Sequence, residues 1–205
     1  MKHILNYAII ALIALAISGC EEDSNPDPEM ITGTGPVVNK TLELPSFNKI
    51  ELTGTADFNI SIGSPQAVVL NAQQNIIDVM SIKVEGETLK VGLKSNVSIS
   101  TPEGIHFDIT VPSMTKILLA GAGDFELSGS DQNELSVIIT GVGDIRAYDM
   151  RVRYCNISVV GVGNCQVNVI NGLTASITGV GNIYYKGSPT ISSTITGVGQ
   201  IVNSN

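Results

Sequence analysis

Between Ile117 and Ile201 the chain alternates apolar and polar residues with a period of two, and glycine pairs interrupt the alternation five times. With the first glycine of each pair as position zero, positions −6, −4 and −2 hold Leu135, Val137 and Ile139, then Cys155, Ile157 and Val159. The next two units supply Leu173, Ala175 and Ile177, then Ile191, Ser193 and Ile195. The positions between are mostly Ser, Thr, Asn or small residues. One apolar face at a period of two predicts β-strands buried on one side. Beyond each pair, position +4 is Phe125, Ile145, Cys165, Ile183 or Ile201, and +6 continues the face with Leu127, Ala147, Val167 and Tyr185. Each unit therefore reads as strand, Gly-x-Gly corner, strand.

The pairs are Gly121/Gly123, Gly141/Gly143, Gly161/Gly163, Gly179/Gly181 and Gly197/Gly199, with first glycines 20, 20, 18 and 18 residues apart. A fixed period of that size marks a repeat architecture. Glycines at the corner indicate positive φ or a close approach of the neighbouring coil. The residue between them, Ala122, Val142, Val162, Val180 or Val198, is apolar each time and is expected to point into the core. Like strands of successive units then stack in parallel, ~4.8 Å apart. The expected fold class is all-β, a right-handed parallel β-helix (β-solenoid) with an irregular N-terminal capping region. An earlier copy of the unit runs from Ile50 to Ile62. Between it and the repeats the pattern predicts strands over 67–70 and 105–111, two helical turns over 73–80, and a hairpin over 81–93 about Glu85-Gly86-Glu87. The domain spans 37–205, with 37–112 irregular and 113–205 repeating; the irregular part covers an edge that would otherwise be open.

Residues 1–19 read as an export segment, to be set aside from fold reasoning. Lys2 and His3 precede an apolar run from Ile4 to Ala16, and Ser18-Gly19-Cys20 follows in a sequence that resembles a bacterial lipobox. Cys20 is then the expected lipidation site, anchoring the chain to the membrane through acyl chains. Residues 20–36 are rich in Pro, Gly and acids and read as a flexible tether. Glu21-Glu22-Asp23 resembles a surface-export signal of bacterial lipoproteins. The expected location is the outer membrane, facing either the cell surface or the periplasm.

The Gly-x-Gly-[Asp/Asn]-apolar repeats, the opening copy Leu52–Phe58 and the step Val111-Pro112-Ser113 together resemble the autotransporter-adhesin head GIN-domain family of bacterial lipoproteins. The resemblance covers about residues 40–205. It implies a fold similar to pectin-lyase-like β-helices without their catalytic set, and a role in adhesion. Family members commonly carry Gly-Ser-Gly where this chain has Gly-Val-Gly, which makes the corner more apolar.

Net charge is −8 and the sequence pI about 4.6, the wrong sign for a phosphate backbone, so no nucleic-acid partner is expected. Position +3 forms a polar row of Asp124, Asp144, Asn164, Asn182 and Gln200. Two stacked aspartates need hydration, a paired cation or a neighbouring base, and the row alone offers too few oxygens for Ca²⁺. Arg146 is expected to pair across the coil with Glu126, close to Asp144. Asp124, Asp144, Arg146, Tyr148 and Tyr184 form the candidate binding face, with Tyr154 also outward. Cys155 and Cys165 fall on core positions of one coil; a disulfide, two buried thiols or a metal pair remain open, with buried thiols favoured because facing strands stand ~10 Å apart. His106 shares an outward face with Asp108 and Thr110, but no nucleophile accompanies it. No catalytic residue, metal or cofactor is assigned. The expected function is non-catalytic glycan or protein binding from an envelope-anchored solenoid. The alternatives are a polysaccharide-active enzyme built on the Arg146, Arg151, Arg153, Asp144 and Asp149 cluster, and a structural protein that forms homo-oligomers through its last coil.

Overall fold

The structure, a computed structural model, describes residues 27–205. Cys20, the export segment and the first part of the tether lie outside the described residues. The described chain is all-β apart from one helical turn. In order, the elements are β1 (Glu29–Thr32), β2 (Val37–Thr41), β3 (Lys49–Leu52), β4 (Asp57–Ile62), β5 (Ala67–Gln73), α1 (Gln74–Ile77), β6 (Met80–Glu85) and β7 (Thr88–Leu93). Then come β8 (Val97–Ser100), β9 (His106–Val111), β10 (Lys116–Leu119), β11 (Phe125–Gly129) and β12 (Gln132–Ile139). The last are β13 (Ile145–Val159), β14 (Cys165–Ile177), β15 (Ile183–Lys186), β16 (Thr190–Ile195) and β17 (Ile201–Asn203).

Strands of successive units pair in parallel and in the register set by the apolar pattern. Before the corner, Ile50, Ile117, Val137, Ile157, Ala175 and Ser193 stand in one row. After it, Phe58, Phe125, Ile145, Cys165, Ile183 and Ile201 stand in another. β13 and β14 run through both rows, so one sheet curls around a continuous core. Phe107, Phe58 and Phe125 stack inside it, with ring centroids 4.9 and 4.4 Å apart.

The sheet is mixed. β7 continues the pre-corner row in parallel and is covered by antiparallel β6; β9 continues the other row and is covered by antiparallel β5 and then β2. The hairpin about Gly86 is present, with Glu87 at φ 64°. Three expectations change. The helix is α1 alone, because Met80 is taken into the ladder with β7. Glu29–Thr32, within the expected tether, forms β1 in parallel with β8.

The residue between the corner glycines points outward, not into the core: Val142 is 56% and Val198 69% exposed. The alternation explains this, for it runs unbroken through the corner. Positions −2 and +4 face inward, so 0 and +2 share that parity and +1 faces solvent. Both glycines are required by the coil beneath: a methyl at Gly121, Gly141, Gly161, Gly179 or Gly197, or at the second glycine of each pair, would overlap a backbone carbonyl of the preceding coil.

Candidate functional site

The polar row at the corners is a chain of side-chain-to-backbone hydrogen bonds. The N–H of Asp124 donates to Asp57 Oδ1 (2.9 Å), that of Asp144 to Asp124 Oδ1 (2.8 Å) and that of Asn164 to Asp144 Oδ1 (2.8 Å). Asn182 and Gln200 continue it, their N–H groups donating to Asn164 Oδ1 and Asn182 Oδ1, each at 3.0 Å. The residue type follows: an Asx side chain reaches one coil forward, and each supplies an acceptor to a corner N–H that lacks one. Asp144→Ala would strip the acceptor from Asn164 N–H and is expected to cost about 2 kcal/mol, whereas Asp144→Asn keeps that acceptor and should cost under ~1 kcal/mol. Urea denaturation of both variants checks this; equal losses would contradict the acceptor role.

Arg146 sits between the two aspartates and resolves their repulsion. Its Nη1 donates to Asp124 Oδ2 (3.0 Å) and its Nη2 to Asp144 Oδ2 (3.3 Å); Glu126, the expected partner, is not bonded to it. The hydrogen bond that Arg146 donates to Asp124 raises the guanidinium pKa above its ordinary value. All three side chains are about a third or more exposed, so each pair contributes at most ~1 kcal/mol. Asp124, Asp144 and Arg146 are therefore engaged in holding coils together.

The row borders a groove of about 660 Å³ whose floor is the glycine backbone and whose other wall is the exposed ridge Val142, Val162, Val180 and Val198. A smaller hollow of about 270 Å³ gathers Asp57, His106, Asp108 and Arg146. There His106 Nδ1 lies 3.6 Å from Asp57 Oδ2, while Asn59 and Asn71 donate to the Asp108 carboxylate. Arg151 is paired with Asp131 at 2.7 Å, away from Asp144. Among the described residues, no group of three or more His, Cys, Asp or Glu is placed to hold a metal ion, and no helix is long and apolar enough to cross a membrane.

Cys155 and Cys165 are free and buried. Burial pushes the Cys155 thiol up to about 12 and the Cys165 thiol well above its usual value, so neither is a ready nucleophile.

The tyrosines separate into different roles. Tyr148 lies under Lys186, whose Nζ is 4.4 Å from the ring centroid. Tyr184 is half-buried in the row that contains Gln166 and Val202. Tyr154 is 56% exposed and lines a groove of about 820 Å³ on the outer face of the pre-corner strands. Its partner one coil on is Gly172, and a methyl there would meet Tyr154 Cδ1 at 3.1 Å. The glycine leaves room for the ring beside the adjacent strand. Lys49 and Lys116, partners in neighbouring coils, stand at one end of the groove; Ser136, Asn156, Thr174 and Ser192 continue their row to the other.

This groove is the feature that candidate selection by sequence misses. The signal is available: in the aligned repeats Tyr154 stands at −7 and Gly172 replaces it one unit later, an aromatic followed by a space for it. The profile of a family described as "Putative auto-transporter adhesin, head GIN domain" matches residues 46–140 and 116–189. The chain belongs to this family. Among solved structures, a putative adhesin from Bacteroides fragilis is 21% identical, with 85% of this chain and 100% of that one covered, at a TM-score of 0.59. A putative lipid binding protein from Parabacteroides distasonis is also 21% identical, over 86% and 100% of the two chains, at 0.49. A putative adhesin from Parabacteroides merdae is 18% identical over the same shares, at 0.46. At these identities the likeness concerns the fold alone. No curated protein matches the chain.

Proposed function

We propose that this GIN-domain protein is a non-catalytic binding module of the bacterial cell envelope, anchored through Cys20, that holds an extended glycan in the groove beside Tyr154. The parallel rows support a right-handed β-helix, the hand favoured for parallel crossover connections. The adhesin descriptions of the family and of its Bacteroides fragilis relative support an attachment role. The observation that carries the reading is the groove itself: one exposed aromatic ring between Glu134 and the space left at Gly172, flanked by hydroxyl, amide, ammonium and carboxylate groups on rows repeating every ~4.8 Å. Sugar C–H faces pack on a tyrosine ring while its hydroxyl stays wet. The side-chain donors and acceptors match a polyhydroxyl chain better than a protein partner, whose interface would need an apolar centre.

The Asp124–Arg146–Asp144 cluster supports holding over turnover, because its carboxylates are occupied by backbone N–H groups and by the guanidinium. Tyr154→Ala is expected to weaken retention of the bound polysaccharide at least tenfold, with the thermal midpoint within a few degrees of wild type. Affinity electrophoresis in polysaccharide-containing gels measures it. Unchanged retention in Tyr154→Ala would place the ligand elsewhere.

A further inference from the structure

The two ends of the sheet are finished differently. At one end, antiparallel β6, β5 and β2 close the parallel rows, and the outermost strands carry Lys83, Glu85 and Lys40. Charges on a final strand discourage further pairing. At the other end β16 pairs along one edge with β14, and its opposite edge carries no partner among the described residues. Every residue of β16 is exposed. Ile191 and Ile195 nevertheless stand on the core side, in register with Leu173 and Ile177, each of which is 1% exposed. Two positions of the core row are thus left uncovered. Residues 187–205 contain no charged side chain, in a chain of net charge −8. Asn205 exchanges hydrogen bonds with the Gly187 backbone, not with β16.

We propose that this edge is covered by a second copy of the chain, with β16 pairing antiparallel across a two-fold axis. An isologous contact requires a self-complementary strand, and Thr-Ile-Ser-Ser-Thr-Ile supplies one. For the core faces of both copies to coincide, paired residues must share parity. The register centred on Ser193 meets that condition. It sets Ile191 opposite Ile195 of the second copy, and Ser193 opposite itself. On the outer face it sets Thr190 against Thr196 and Ser192 against Thr194, hydroxyl pairs that antiparallel ladders favour. The neutrality of this coil removes the repulsion that two acidic chains would otherwise meet. Thr190 and Ser192 also line the Tyr154 groove, so the pairing joins two grooves into one face with two aromatic platforms. The association itself does not depend on the glycan reading.

Sedimentation velocity of the full chain without polysaccharide tests it. A concentration-dependent dimer is expected, and Ser193→Lys, which opposes two ammonium groups at the axis, should return it to a folded monomer whose thermal midpoint matches that of the wild type at high dilution. Ser193→Cys should give, on mild oxidation, a covalent dimer whose peptide map joins position 193 to itself. Thr174→Cys, one coil inside, should not join to itself. A monomer at all concentrations, a dimer indifferent to Ser193→Lys, or the absence of the 193–193 link would overturn the proposal.

Discussion

Gly143→Ala is expected to leave no cooperatively folded protein at room temperature, whereas Val142→Ala, one residue earlier, should shift the thermal midpoint by only a few degrees. Gly143 holds φ at +143°, a conformation L side chains rarely adopt, and an added methyl would overlap the carbonyl oxygen of Gly123 and stand 2.7 Å from its carbon. That obstacle is backbone, in a residue whose own N–H is tied to the Val142 carbonyl, so it cannot yield as a side-chain tip would. Relief requires the two coils to part, and the corner bonds would be lost with them: Gly123 N–H to Val142 carbonyl and Phe125 N–H to Asp144 carbonyl. Combined steric and hydrogen-bond losses of this kind exceed ~4 kcal/mol, a large part of a typical domain's stability. Val142 is mostly exposed, so its truncation removes little buried area. Circular dichroism melts of the two variants measure the contrast. A folded Gly143→Ala with a near-normal midpoint would mean that the coils do not stack at this spacing.

The second large effect is expected at Phe58. It is 3% exposed and lies between Phe107 and Phe125, with both rings nearly parallel to its own, at interplanar angles of 9° and 8°. This stack joins the opening copy of the repeat to the capping strand β9 on one side and to the first full repeat on the other. Phe58→Ala leaves a cavity between two rigid rings and is expected to cost about 4 kcal/mol. Phe58→Leu fills most of it and should cost less than half as much. Urea denaturation followed by circular dichroism distinguishes them. Equal losses in both variants would indicate that the ring volume at this position is not what holds the cap to the repeats.

Much of this architecture was legible from parity alone. Apolar residues at −6, −4, −2, +4 and +6 fixed which strand faces are buried, and the 20- and 18-residue periods fixed which residues become neighbours. The outward ridge of valines follows from the same rule, for position +1 has the parity of the solvent face although its residue type is apolar. The antiparallel cap was harder to read. Ala67–Gln73 carries the same alternation as a parallel strand, and only its pairing with β9 and β2 sets its direction. Arg146 leans to Asp124 and Asp144 instead of Glu126, a choice that spacing alone does not determine for a long side chain. Asp124, Asp144 and Arg146 have the residue types of an active site, yet their atoms are engaged by backbone and by each other. The groove at Tyr154 depends on an absence, the missing side chain of Gly172, and a search for reactive residue types does not register a space.

The outer face is proposed to bind an extended glycan and to leave it intact. A panel of soluble polysaccharides, incubated with the full chain and followed in parallel for retention and for reducing-end release, tests this most directly. Retention of at least one polysaccharide, lost in Tyr154→Ala and accompanied by no new reducing ends, is the predicted result. Release of chain ends by the wild-type protein, abolished in Asp144→Asn, would contradict it and make the corner acids an active site.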